Sequence, residues 1–358
     1  MSIKSDLKKA GIEVISELDA KSVEKIAKNI SMKINETFPN LFVSSDDIFY
    51  RLMKLKMYKA EMIDGMAEAN YFYKNTSIYF NEHISDEDIE EFAIHECIHY
   101  LQEKKDINNK LTHMGLCDYT KLKVHGLGLN EAGVQYLSSM IIGIQPDFEK
   151  YYNISLYTPS PSYYPLECSL LNEILFFTGT EVLTKSVFFS SNDFKNDIIE
   201  KTSIDIFNKL QYNFDKILKY EEHIIKLNFK ISLLDNGSSK LSKLFNKVTK
   251  YKEKIAKCYI NTQNLIIENF FNNEFAKIDT LENLDIFRRK LSDFSNIVGT
   301  VDGYEFFENY YSEIMNKLEH KSNILENGGI ETALLRNSNS WIFKIFNKFS
   351  KFLSNSSN

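Results

Sequence analysis

Breaks are scarce in this chain, with 13 glycines and 5 prolines over 358 residues. Glycine and proline are the residues that most often interrupt regular elements. The sequence therefore favours long helices and disfavours an all-β sandwich with its frequent turns. Four of the five prolines fall within 145–165 among several tyrosines, so that stretch is expected to be a loop. A chain of this length exceeds the usual size of one compact unit, and a catalytic part with at least one further helical part is expected.

Periodicity places the elements. Ile12, Ile15 and Leu18, then Val23, Ile26, Ile30 and Ile34, recur at helical spacing, so residues 3–36 are expected to be helical up to Phe38-Pro39-Asn40. Residues 46–66 read as a second helical stretch. Residues 68–73 and 76–80 are aromatic and β-branched on either side of Lys74-Asn75, the clearest hairpin signal in the chain. Ser85, followed by Asp86, Glu87 and Asp88, marks a helix start: Ser85 can cap it, and the acidic first turn suits the helix dipole. That helix is expected to reach about residue 103, with irregular chain over 104–128 and another helix over about 130–144. The expected fold class is α+β, predominantly α-helical, with a short antiparallel sheet beside the helix of residues 85–103.

That helix carries His95-Glu96-Cys97-Ile98-His99. Each helical residue advances about 100°, so His95 and His99 lie only about 40° apart, one turn along one face. Two imidazoles so placed can reach a single zinc ion at about 2.0–2.1 Å from each nitrogen. Glu96 sits at the edge of that face, where it can reach a metal-bound water without binding the metal. Cys97 points towards the opposite side and is expected to be a buried thiol. A catalytic zinc usually has three protein ligands, and the candidates for the third are Glu131, His125, His113 and Glu173. No third histidine follows shortly after His99 behind a glycine, which excludes the longer metzincin pattern.

Glu131 lies in Leu129-Asn130-Glu131-Ala132-Gly133-Val134-Gln135, at the start of a helix with 31 residues between it and His99. Over roughly residues 65–145 the chain thus resembles the thermolysin-like zinc peptidases, or gluzincins, whose HExxH is followed some tens of residues later by an Asn-Glu pair on another helix. The resemblance implies a zincin-like catalytic part with one catalytic zinc, His95, His99 and Glu131 as its ligands, and Glu96 as general base. It also implies that Ala69-Asn70-Tyr71 is an edge strand that pairs with substrate backbone, with Asn70 as the substrate-binding residue. Where the family supports one ligand imidazole with an aspartate, this chain has Gln135, which can still accept a hydrogen bond. Peptide hydrolysis passes through an oxyanion that needs a donor, and Tyr164 and His125 are the first candidates, with Tyr119, Tyr136 and Tyr163 behind them.

Residues 1–200 are expected to form the catalytic domain, 201–330 a helical hairpin or bundle module rich in Lys, Glu, Ile, Leu and Phe, and 331–358 a basic tail. In that tail Ile342, Ile345, Phe346, Phe349, Phe352 and Leu353 share one helical face, while Lys344, Lys348 and Lys351 fall elsewhere. This is the pattern of an amphipathic helix that docks on its own protein, in a partner groove or on a membrane surface. A net charge of −6 gives no reason to expect nucleic acid as a partner; a peptide or protein substrate is expected instead. Four scattered cysteines, no basic-then-apolar leader and no apolar run of about 18 residues lead to a cytoplasmic expectation, with leaderless export compatible. The main expectation is a zinc peptidase. Its rivals are a zinc hydrolase of another bond, a helical interaction protein whose metal site is structural or degenerate, and a host-targeted effector or toxin.

Overall fold

The computed structural model describes residues 3–41, 43–62, 68–108, 110–119, 123–235 and 239–326. The tail at 341–353 and the end of the stretch at 46–66 lie outside them. The architecture is α+β and mostly helical.

The first elements are α1 (Ile3–Lys9), β1 (Ile12–Glu17), α2 (Ala20–Thr37), α3 (Ser45–Leu52), β2 (Lys56–Met62), β3 (Ala69–Phe72) and β4 (Ser77–Asn81). They build a four-stranded sheet in the order β1-β2-β4-β3, and its β2/β4 pair is parallel while the other two are antiparallel. The expected hairpin is β3/β4, with Ala69 opposite Phe80 and Tyr71 opposite Ile78. Every residue of β4 is buried, as befits a central strand covered on both faces.

Two sequence expectations are corrected here. Residues 12–17 form a strand, not part of one long helix, because the chain turns at Ala10-Gly11 and the β-branched residues after it pair with β2. The second helical stretch ends at Leu52, and residues 56–62 form β2, where Met57 and Ala60 are buried by strands on both sides. In both places tertiary pairing overrides a short apolar run that fits either period.

Next come α4 (Ile89–Leu101), β5 (Glu103–Lys105), β6 (Leu111–Met114), β7 (Asp118–Tyr119), β8 (Val124–His125) and α5 (Leu127–Ile142). Ser85 Oγ accepts from Asp88 N–H (3.2 Å) and donates to the Asp88 carboxylate (2.6 Å), but these bonds close a turn ahead of the helix: α4 begins at Ile89 with Asp88, not Ser85, at its cap position. The irregular stretch contains two two-stranded ladders, β5/β6 and β7/β8. A third correction follows: residues 145–165 are not a bare loop but hold the hairpin β9 (Asp147–Tyr151) and β10 (Ile154–Thr158). Its prolines flank the strands, and β10 buries Ile154, Leu156 and Thr158 alternately, a period-2 signal that the prolines mask.

The remaining helices are α6 (Pro165–Thr178), α7 (Thr180–Phe189), α8 (Asp193–Lys201), α9 (Ile204–Ser232), α10 (Leu241–Ala276), α11 (Leu281–Phe294) and α12 (Phe306–Glu326), with β11 (Thr300–Val301) pairing onto β10. Contacts divide the chain into two compact units. Among the described residues the first comprises those from 3 to 270 and 297–304, and the second 271–296 and 305–326. The residue 200/201 boundary expected from composition thus lies inside the first unit, where α9 packs on α5 and α6. In the second unit Phe271, Phe287 and Phe294 stack edge to face, and Lys290 pairs with Glu274 at 2.7 Å. All four cysteines are buried and unbridged, and no helix among the described residues is long and apolar enough to cross a membrane.

Glu173 on α6 is wholly buried in the first unit; its Oε1 accepts from Gln263 Nε2 (2.8 Å) and Gly299 N–H (3.2 Å). Burial pushes its carboxyl up to about 8 against the two donors. A folded-state value above the unfolded one near 4.5 means that this group's contribution to stability is complete below pH 4.5 and is lost as pH rises through 8. Glu173→Gln keeps the acceptor and removes the charge. Its stability relative to wild type should rise between pH 5 and 8 by a few kcal/mol, of order 1.4 kcal/mol per unit. Urea unfolding at both pH values checks this; a constant difference between the two proteins would refute it.

Candidate metal centre

The centre is built on α4 and α5, two helices buried over most of their surface. His95 Nε2 and His99 Nε2 lie 3.0 Å apart, and Glu131 Oε2 lies 3.3 Å from each. A tetrahedral ion with bonds of about 2.0–2.1 Å separates its ligand atoms by about 3.3 Å, so this triangle matches one face of such a shell. Among the described residues this is the one group of three or more His, Cys, Asp or Glu side chains with metal-ligating spacing. Two histidines and a carboxylate suit zinc but do not single it out among divalent transition metals.

The neighbours aim the ligands. His95 Nδ1 donates to Gln135 Oε1 (2.8 Å), and Gln135 Nε2 in turn donates to Ser160 Oγ (3.0 Å). A proton on Nδ1 leaves the Nε2 lone pair facing the centre. Gln102, three residues after His99, pairs with Asn130 through both amide groups (3.1 and 3.3 Å). Asn130 Oδ1 also accepts from Leu116 N–H (2.9 Å), so the residue beside Glu131 ties the end of α4 to the start of α5. Gly115 presses on this pair: a Cβ there would meet Asn130 Oδ1 at 2.1 Å. The start of α5 is held from α9, where Asp215 accepts from Gly126 N–H and Gly128 N–H, both at 2.9 Å. Gly128 approaches the Phe214 backbone so closely that a Cβ would sit 2.4 Å from it.

Charge within the cluster is strongly coupled. Burial raises the Glu131 carboxyl, but His99 and His95 outweigh it and hold Glu131 well below the usual carboxylate range. Burial likewise lowers His99, yet Glu131 raises it on balance to about 9. Tyr164 stacks on the His95 ring (centroids 6.0 Å apart, planes at 19°) near the Glu131 charge. The Glu131 charge, then burial and Glu96, push its phenol well above the ordinary value, so the hydroxyl keeps its proton. Tyr164 also adopts a left-handed backbone (φ 50°) just before Pro165, a conformation that costs a non-glycine residue energy and often marks functional sites.

Glu96 is buried, and its Oε2 accepts from Tyr71 N–H at 2.6 Å. Since Tyr71 N–H points at α4, alternation directs the main-chain groups of Asn70 and Phe72 into the β4 ladder and those of Ala69 to the other edge, which no strand among the described residues pairs with. Glu68 C=O accepts from Asn81 N–H (2.8 Å), which agrees with this phase. Ala69, Phe92, His95, Glu96, Gln135 and Tyr164 share the lining of a cavity of about 170 Å³. Asn70 does not; its backbone is paired with Tyr79, and it lines a second cavity.

The other sequence candidates lie elsewhere. His125 pairs with Asp118 in β8 and is outside both the ligand group and the cavity lining. His113 bonds Gly115 C=O (3.0 Å), and Glu173 is the buried group described above. Tyr119 stands against His113, and Tyr136 donates to Asn172 (3.0 Å). Tyr163 lines the cavity rim with its ring edge-on to Phe92. Cys97 is fully buried, as its helical angle requires. Sequence reading missed Gln102 and Asp215. The i, i+3 spacing of His99 and Gln102 was a usable signal, whereas nothing local links Asp215 to a turn 87 residues away. No known protein family, curated protein or solved structure matches this chain.

Elemental mass spectrometry of purified protein should find about one zinc per chain. Glu131→Ala should lose most of it, and His125→Ala should keep it. Loss on His125→Ala with retention on Glu131→Ala would exclude the ligand set described here.

Proposed function

We propose that this protein is a zinc-dependent hydrolase that cleaves a peptide bond. The observation that carries the reading is the convergence of three ligand atoms within 3.3 Å of one another, with one of the three residues, His95, lining the same cavity as Glu96. His95, His99 and Glu131 would hold the ion. A zinc ion there supplies Lewis acidity, acidifying water and polarising a carbonyl.

The chain's own groups do the rest. Tyr71 N–H occupies Glu96 Oε2 and fixes the carboxylate, which leaves Oε1 to take the proton of the attacking water and pass it to the leaving amine. The protonated Tyr164 hydroxyl, stacked beside His95, is the donor for the developing oxyanion. Gln135 holds the His95 ring in place. The open edge of β3 favours a peptide over another acyl substrate, because Ala69 offers one N–H and one C=O to an extended backbone. Asn70, the residue expected to bind substrate, contributes a side chain to the adjoining cavity instead. Four buried, unbridged thiols support a reducing, cytoplasmic setting.

Glu96→Gln should retain zinc and lose at least about 10²-fold in casein or peptide cleavage, the scale of a lost general base. Unchanged cleavage would remove Glu96 from the mechanism. Tyr164→Phe should reduce kcat about 10²–10³-fold with KM little altered, as for a lost oxyanion donor. A rise in KM at constant kcat would instead make Tyr164 a binding residue.

A further inference from the structure

His95, Gln135, Ser160 and Tyr164 all line the cavity beside the metal centre. The first three form a chain of hydrogen bonds that ends on the peptide group just before the fourth. Ser160 follows β10 and is only 2% exposed. Its N–H donates to Oγ1 of Thr158 (3.1 Å), the buried last residue of that strand, so the β11-β10-β9 sheet sets where Ser160 stands. Its hydroxyl donates to the Tyr163 carbonyl at 2.5 Å and accepts from Gln135 Nε2 at 3.0 Å. Gln135 Oε1 in turn faces His95 Nδ1 at 2.8 Å.

The direction of these bonds is forced from one end. A main-chain carbonyl only accepts, so the single proton of the Ser160 hydroxyl goes to Tyr163. Towards Gln135 the hydroxyl is then an acceptor, and Gln135 must turn its NH₂ group to Ser160 and its oxygen to His95. An amide oxygen also only accepts, so the His95 proton sits on Nδ1 and the Nε2 lone pair is left for a metal. With the amide reversed, Gln135 would offer N–H to His95 Nδ1 and drive the ring proton onto Nε2.

The same carbonyl immediately precedes Tyr164. That residue sits in the left-handed region (φ 50°, ψ 43°), although a residue before proline favours extended backbone. Ser160 Oγ holds the carbonyl before it, and Cys168 N–H holds its own carbonyl (2.9 Å). Both flanking peptide groups are thereby fixed, and with them the turn that lays the Tyr164 ring on His95.

We propose that Ser160 is a positioning residue serving two members of the centre at once. Through Gln135 it sets the tautomer in which His95 can bind a metal, and through the Tyr163 carbonyl it holds the turn that presents Tyr164. The effect on catalysis rests on the peptidase reading; the effect on the His95 tautomer does not.

Three measurements test the two effects separately. The tautomer is read by long-range proton–nitrogen NMR of the full-length, zinc-free protein with isotope-labelled histidine, at a pH where the rings are neutral. Wild-type His95 should carry its proton on Nδ1, and Ser160→Ala should show both tautomers. A wild-type proton on Nε2, or a Ser160→Ala ring indistinguishable from wild type, overturns the proposal whether or not the protein cleaves peptides. Zinc affinity is then measured by chelator competition in wild type, Ser160→Ala, Gln135→Met and the double variant. Ser160→Ala should weaken zinc binding about tenfold, the lower end of the effect of a ligand's hydrogen-bond partner. Because Ser160 acts through Gln135, the double variant should bind no more weakly than Gln135→Met. Unchanged affinity in Ser160→Ala, or losses that add, overturns the route through Gln135. Finally, at saturating zinc Ser160→Ala should lower kcat for peptide cleavage by up to about 10²-fold, the scale of a misplaced catalytic group, with KM little altered. A rise in KM at constant kcat overturns the link to Tyr164. A wild type that shows the Nδ1 tautomer and binds zinc but cleaves no peptide overturns the peptidase reading and keeps the role of Ser160 at His95.

Discussion

Everything at the centre of this protein depends on how buried charge is compensated. His95, His99, Glu96 and Glu131 project from helices buried over most of their surface, and an uncompensated charge there would be expensive. Compensation comes from mutual contact: Glu131 lies 3.3 Å from both imidazoles, and the histidines hold it ionised against the pull of burial. The same closeness that satisfies these groups in pairs brings their lone pairs to the spacing of a metal shell.

That arrangement requires α4 and α5 to meet in one register. The contacts that set it are polar: Asn130 with Gln102 in the buried interior, and the part-buried bonds of Leu116 N–H to Asn130 and of the first amides of α5 to Asp215. A polar network with every member satisfied is specific, since sliding one helix past the other strands several donors at once. Glycine at 115 and 128 permits the close approach, and a side chain at either position would push a helix away. The four-stranded sheet contributes at one point, where the edge strand β3 fixes Glu96 through Tyr71 N–H and leaves Ala69 open.

The two cavities differ in how charge is treated. At the metal centre a carboxylate faces two imidazoles. Beside the second cavity the buried Glu167 and Glu221 carboxyls hydrogen-bond each other, and burial makes them keep a proton. Both arrangements are balanced within the chain, the first by opposite charge and the second by that proton.

Much of this was legible in the residues themselves. The spacing of His95 and His99 places them on one helical face, Cys97 is directed inward by the same geometry, and the hairpin at 69–81 follows from alternating aromatic and β-branched residues. These are local properties, set by a period of 3.6 or 2 within one element. The strands at 12–17, 56–62 and 147–158 were not legible, because short apolar runs fit both periods and only partner strands decide between them. Choosing Glu131 over His125, His113 and Glu173 as neighbour of the two histidines was likewise settled in three dimensions. So were the phase of β3 that turns the Ala69 main chain to the strand's edge, the anchoring of α5 by Asp215 and the pairing of Glu167 with Glu221. Each of these joins residues distant in sequence or depends on the phase of a ladder, and neither distance nor phase is encoded in any single element.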